Sequence, residues 1–198
     1  MESIKSTNVR NYLTIGVLST LLLSSCAPVV IGGGAAAGYT LSQERNVGEI
    51  ADDLAIKNHI KSNFAKKSMF TLVGVKVSEG RVLLTGKVTT QLSRLDAARI
   101  AWQQPGVREV NNDIIVTNNS EKLASHVATD SRITTEIKSK LLVTKNVNST
   151  NYGFETIDGV VYVLGIAQNS RELDKVISVA SKVKGVIKVV NHVRIKKY

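Results

Sequence analysis

Few stretches of this 198-residue chain carry residue types whose spacing could do chemistry. Gly32-x-Gly34-x-x-Ala37 has the loose form of a loop that cradles a dinucleotide pyrophosphate, because glycines let backbone N–H groups approach phosphate closely. That reading also needs a sheet around the preceding strand and an acidic residue at the right distance within a βαβ unit. Neither is available here. His59, His126 and His192 lie far apart, with no two at helical or hairpin spacing, and the single cysteine, Cys26, excludes an internal disulfide and a cysteine zinc site. No metal site is expected. Asp52-Asp53 reads as helix capping rather than as an acid/base pair, and no Ser/His/Asp set stands in motif context. Neither an enzyme nor a cofactor is therefore expected. A net charge of +10 with a pI near 9.8 favours anionic partners. Aromatics make up only 5%, so any core is aliphatic.

Cys26 remains as the residue with a chemistry of its own. Lys5 and Arg10 form a short positive region, and Tyr12 to Leu23 is an uncharged apolar run of twelve. Such a run is short for a bilayer span and suits the apolar part of a signal peptide. Leu23-Ser24-Ser25-Cys26 follows at once and resembles the bacterial lipobox. There, cleavage before the cysteine leaves it as the new N-terminus, which carries the lipid. Residues 1–25 are read as a lipoprotein signal peptide and Cys26 as the lipid attachment site. Acyl chains contribute about 0.8 kcal/mol per buried CH₂, so three of them hold a protein firmly. Ala27, rather than Asp, follows the cysteine. By resemblance to Gram-negative lipoproteins this implies sorting to the outer membrane. The glycines and alanines behind Cys26 read as a flexible tether over 26–48.

The rest is one unit written twice, over 49–118 and 119–198. AIKNHIKSNF (55–64) matches RITTEIKSKL (132–141), EGRVLLTGKV (79–88) matches DGVVYVLGIA (158–167), and PGVREVNNDIIV (105–116) matches KGVIKVVNHVRI (184–195). The offset drifts only from 77 to 79, which calls for one small insertion before the first strand. In each copy Asp53 or Asp130 can cap a helix with apolar residues at i and i+4. Two strands follow, joined by Glu79-Gly80 or Asp158-Gly159, a pair suited to a hairpin turn with positive φ. A second helix follows over 93–104 or 170–183, stopped by Gly106 or Gly185. A last strand over 107–116 or 186–195 closes the unit. The order αββαβ, twice, predicts an α+β fold in which each unit packs two helices on a three-stranded mixed sheet. Each unit is small, so packing of the copies against each other helps both.

These residues resemble the BON domain, and the chain after residue 20 resembles the dual BON-domain outer-membrane lipoproteins. The likeness rests on Gly80, Gly86 and Gly106, repeated as Gly159, Gly165 and Gly185, and on RNVGEIADD (45–53), TDSRITTEIKSKLL (129–142) and SRELDKVISVASKVKGVIKVV (170–190). The resemblance implies a protein facing the periplasm that binds anionic phospholipids such as phosphatidylglycerol and cardiolipin. It implies a part in outer-membrane integrity, envelope stress and cell division, and a link to the outer-membrane protein assembly machinery. It also implies that the first helix of the second domain meets lipid, and that the first domain does not.

On a helix over 131–142, Ile133, Ile137 and Leu141 form the core stripe. Leu142 lies about 140° from the centre of that stripe, beside Ser131, Thr135, Lys138 and Ser139. An apolar residue among small polar groups and a lysine suits a shallow membrane contact. Arg132 and Lys145 add attraction to an anionic surface, worth about 1 kcal/mol per basic residue. The phospholipid-binding set is therefore Ser131, Arg132, Thr135, Lys138, Ser139, Leu142 and Lys145. Packing of Leu142 on the first domain or on the hairpin is the alternative. The family pattern has an aromatic near this helix start, where Arg132 stands, which shifts weight to electrostatics. In the first copy, Ala55 and Ala65 occupy the places of Arg132 and Leu142. Ten basic and six acidic residues fall in 51–118, thirteen and seven in 121–198, so the second unit is the more basic. Trp102 is expected in the core or the domain interface.

Nucleic acid is not an expected partner, since no GXXG loop joins two helices and stacking aromatics are scarce. A protein-interaction scaffold for outer-membrane assembly, or for the cell-wall and division machinery, is the rival to lipid recognition.

Overall fold

The computed structural model describes residues 47–67, 73–119, 122–124 and 126–197. The signal peptide read over 1–25, the attachment site Cys26 and the tether up to residue 46 lie outside the described residues. The first copy runs α1 (Val47–Ala65), β1 (Val73–Ser78), β2 (Arg81–Val88), α2 (Gln91–Trp102), β3 (Glu109–Asn112) and β4 (Ile115–Val116). The second runs α3 (Val127–Leu142), a short 3-10 turn (Ser149–Asn151), β5 (Tyr152–Ile157), β6 (Val160–Ala167), α4 (Ser170–Ser181) and β7 (Lys188–Ile195). α1 takes in Val47 and Gly48, the last two residues of the stretch read as tether.

Each copy is αββαβ, and the fold is α+β. In both, the second strand is central, with the first strand antiparallel to it and the last parallel. The hairpins close on Glu79-Gly80 and Asp158-Gly159 with φ of 54°, 71°, 50° and 76°, the paired positive values of a type I′ turn. Beyond Gly80 the chain passes close to its own helix–strand connection. A Cβ on Gly80 would sit 2.5 Å from the Gly106 carbonyl oxygen, and one on Gly159 would sit 2.7 Å from that of Gly185. Gly106 and Gly185 lie past the helix ends, which close on Gln103 and Lys182. They shape the turn into the last strand rather than cap the helix.

Asp53 and Asp130 correct the reading of them as helix caps. Each lies inside its helix and is buried. The Asp53 carboxylate accepts the N–H groups of Glu79 and Gly80, both at 2.8 Å. Asp130 accepts those of Asp158 and Gly159, at 2.8 and 2.9 Å. Each aspartate thus clamps the hairpin turn of its own half. Among the described residues, side-chain N-caps are supplied by Thr90, accepting from Ser93 N at 3.0 Å, and by Asn169, accepting from Glu172 N at 3.0 Å.

One core lies under each helix pair. Ile56, Ile60 and Phe64 of α1 meet Val82, Leu84 and Val88 of β2 and Ala97, Ile100 and Ala101 of α2. Ile133, Ile137 and Leu141 take the same places over Val161, Val163 and Ala167, with Val176 and Ala180 of α4. Every residue of β2 is nonetheless buried, and all but the first of β6. Their other faces meet each other: Leu83 packs with Tyr162 and Leu164. The two sheets stand back to back, with a helix layer outside each.

This seam is unusually polar. Arg81 is 1% exposed. Its guanidinium donates to the carbonyl oxygens of His192 at 2.7 Å and Gly165 at 2.8 Å. Lys87 donates to Asp158 Oδ1 and to the Lys122 carbonyl, both at 2.7 Å. Lys76 pairs with Glu155 at 2.8 Å, His192 Nε2 lies 2.6 Å from Asp113 Oδ2, and Arg194 pairs with Glu109. The start of β2 lies over the end of β6, and the end of β2 over the hairpin before β6. Lys76 and Glu155 are repeat-equivalent, so their ion pair marks a local two-fold axis between the halves.

Two departures from the predicted strands and core have local causes. The first copy's last strand is broken at Asp113 and Ile114, without a change of register on β2. There Asn112 donates to the Arg94 carbonyl at 2.9 Å, Ile114 turns into the core, and Asp113 faces His192. Trp102 is neither core nor interface: it is 54% exposed. With Leu92 and Leu95 it lies on the face of α2 opposite Ala97, Ile100 and Ala101, an exposed apolar stripe.

Candidate functional site

α3 is positioned by three things: its core stripe Ile133, Ile137 and Leu141, the Asp130 clamp on the hairpin, and contact with β5. Its outer side carries Ser131, Thr135, Lys138, Ser139 and Leu142, all exposed. Leu142 is 72% exposed and Val143 beside it 82%. Leu142 therefore packs neither on the first half nor on the hairpin. The side chains fall on one face, and the helix turns that face partly toward the first half.

Ser131, Thr135 and Lys138 line a groove of about 460 Å³ whose far wall is Val73, Gly74 and Lys76 of β1. Val127 and Leu123 also line the groove. Leu142, the last residue of α3, continues the line of Lys138, and Ser139 turns its hydroxyl back to the Thr135 carbonyl at 3.0 Å.

Arg132 and Lys145 sit apart from this line. Arg132 donates to Glu136 at 2.8 Å and to the Lys184 carbonyl at 2.7 Å, so its guanidinium is tied to the helix–strand connection of its own half. Glu136 also pairs with Lys140 at 2.9 Å. The hydrogen bond from Lys140, then the charges of Lys140 and Arg132, hold the Glu136 carboxyl below the usual range. Lys145 lines a separate hollow with Thr144, Asp174, Lys175 and Ser178 of the α4 side. Of the seven residues read from the sequence, five form a continuous face and two flank it.

The reading missed three lysines of the first half. Lys57 and Lys76 line a hollow beside Tyr152 and Gly153 of the second half, and Lys61 stands one turn beyond Lys57 on α1. Burial holds Lys57 below the usual lysine range, and the positive charges of Lys76, Lys61 and Lys138 push it the same way, against Glu155. Only the packing of the halves brings these charges to Lys138, so no local pattern could have found them. Val143 was also missed, since it follows the last helical residue.

Among the described residues no three His, Cys, Asp or Glu side chains gather as metal ligands, and no helix is long and apolar enough to cross a membrane. The arrangement offers ammonium groups, hydroxyls and a protruding apolar tip.

Comparison with known proteins agrees with the duplication. The chain is 44% identical over 145 residues to "Uncharacterized protein in gshII 5'region" of Anaplasma centrale, covering 73% of this chain and 95% of that one. It is 32% identical over 183 residues to "Outer membrane lipoprotein DolP" of Haemophilus influenzae, covering 90% and 92%. It is 32% identical over 163 residues to "Osmotically-inducible protein Y" of Escherichia coli, covering 81% of each. The family model described as the BON domain matches residues 52–118 and again residues 129–197, one match on each αββαβ half. The chain belongs to the BON-domain family.

Proposed function

We propose that this chain is an outer-membrane lipoprotein facing the periplasm, held by an acylated Cys26, that binds anionic phospholipid through the outer face of α3 and supports outer-membrane integrity. It is an envelope-associated BON-domain protein and not an enzyme. The observation that carries the lipid reading is the exposed pair Leu142 and Val143 at the tip of a face that also presents Lys138. Apolar side chains reach the acyl boundary while ammonium groups meet the headgroup phosphates. The tether makes this contact intramolecular, so weak intrinsic affinity suffices. A relative named as an outer-membrane lipoprotein, similar over 90% of the chain, supports the location.

Liposome flotation of a form lacking residues 1–26 tests it. Flotation is expected with phosphatidylglycerol or cardiolipin vesicles, not with phosphatidylcholine alone, and it should weaken as salt rises. Leu142→Glu with Lys138→Glu should abolish it and leave thermal unfolding nearly unchanged, since both side chains are exposed. Retained flotation discards this face.

A second reading has its own observation. The apolar stripe Leu92, Leu95 and Trp102 on α2 is replaced at the equivalent places of α4 by Arg171, Asp174 and Ser181. One helix thus presents an apolar face where its twin presents a polar one, which favours a protein-contact role for the first half. The partner would be the outer-membrane assembly, cell-wall or division machinery. Trp102→Lys with Leu95→Lys should leave flotation intact if lipid binding belongs to α3.

A further inference from the structure

The seam between the halves gathers a lysine cluster that neither half makes alone. Lys57 and Lys61 stand one turn apart on α1, Lys76 on β1 and Lys138 on α3. Lys57 and Lys76 line one hollow, and Lys76 and Lys138 line the groove beside it, so Lys76 joins the two into one strip. Lys61 and Lys138 are repeat-equivalent, and the local two-fold axis through Lys76 and Glu155 brings α1 and α3 to flank the same strip. Glu155 is paired with Lys76 at 2.8 Å. Among the described residues, Lys57, Lys61 and Lys138 make no ion pair. The groove also holds Asp130, whose carboxylate is taken up by the Asp158 and Gly159 N–H groups, and Lys87, which is paired with Asp158. The other four ammoniums, with Glu155 among them, repel one another unless an anion joins them. Ammonium groups on flexible stems, with the Ser131 and Thr135 side chains beside them, suit phosphate oxygens, which accept several charge-assisted hydrogen bonds at once. A groove of about 460 Å³ has room for a headgroup-sized ligand.

We infer that this strip is a binding site for a phosphate group, and that Lys57 and Lys61 of the first half act in it together with Lys138 of the second. The inference rests on the reading of α3 as the anion-facing element and goes beyond it, because the first half takes a direct part in binding. The phosphate is carried by a phosphodiester headgroup or is free, and the two sources are separable. Lys76 keeps Glu155 in place at the centre of the strip, while the outer lysines supply the unneutralised charge.

Calorimetric titration of the full chain in neutral detergent tests this with three probes: short-chain phosphatidylglycerol, short-chain phosphatidylcholine and inorganic phosphate. Lys57→Gln with Lys61→Gln is expected to weaken phosphatidylglycerol binding on the order of tenfold. Lys57→Arg with Lys61→Arg keeps the charge and should keep binding. Near-ultraviolet dichroism and thermal unfolding check the fold, and the Gln pair is expected to unfold no lower than the wild type because repulsion is removed. Phosphatidylglycerol binding that inorganic phosphate does not match assigns the strip to a headgroup. Equal binding of inorganic phosphate assigns it to the free anion, and either supports the site. Unchanged phosphatidylglycerol binding in the Gln pair, with loss in Lys138→Glu plus Leu142→Glu, overturns this inference and leaves the α3 reading standing. A wild-type chain that binds none of the probes overturns both.

Discussion

Asp53 and Asp130 each join a helix to a hairpin 26 to 29 positions away in the chain, through two backbone N–H groups apiece. A buried carboxylate is stabilising only with such donors, and each bond to a charged acceptor contributes about 1.5–3 kcal/mol. Asp130→Ala is expected to lower the stability of the full chain by about 2–4 kcal/mol, with Asp130→Asn falling between, since an amide oxygen replaces part of the acceptor. Thermal and denaturant unfolding measure this, and an alanine variant as stable as the wild type refutes the clamp. The sequence reading placed the two aspartates at helix starts because capping is a rule about neighbours. α1 begins at Val47, several residues before Asp53, and the partner of the carboxylate is a distant turn. The outer face of α3 was legible for the opposite reason. Ser131, Thr135, Lys138 and Leu142 are related by the helical period alone, whereas the tie from Arg132 to the Lys184 carbonyl crosses the fold.

Among the elements, the hairpins were the plainest in the sequence, because Glu-Gly and Asp-Gly between apolar runs admit few other conformations. The tight approach behind them was not. Gly80 has φ of +71° and its absent Cβ would lie 2.5 Å from the Gly106 carbonyl oxygen, a main-chain atom that cannot swing aside. Gly80→Ala combines left-handed strain of about 1–2 kcal/mol with that clash, and a loss of at least about 2 kcal/mol is expected. Gly153→Ala is the matched control. Its Cβ would meet nothing nearer than 3.6 Å, so little change is expected. Similar melting temperatures for the two variants would contradict the close passage. The split between β3 and β4 could not be read from EVNNDIIV, whose pattern is that of an unbroken strand. It arises where Asn112 and Asp113 are drawn to Arg94 on α2 and His192 on β7.

At the scale of the whole molecule, the repeat foretold that the copies pack together but not by which faces. A second covered face is what makes every position of β2 buried, Arg81, Thr85 and Lys87 included. Arg81 gave no sign of burial, since an arginine beside a hairpin is ordinarily exposed. It is held there by carbonyl oxygens of the other half, at Gly165 and His192. Arg81→Ala leaves those acceptors without a donor and opens space in the seam, and a loss on the order of 3 kcal/mol is expected in unfolding of the full chain. An unchanged midpoint would mean that the seam contributes little.

That seam decides what survives when the chain is divided. A cut in the linker near 119–126 would strip Leu83 from Tyr162 and Leu164 and leave Arg81 and Lys87 without their acceptors across the joint. Each fragment would then show solvent a sticky, mischarged plane that the intact protein never displays. Silence or promiscuous adhesion from a lone fragment would report that wound, and substitutions within the undivided chain are the sounder way to allot roles to its halves.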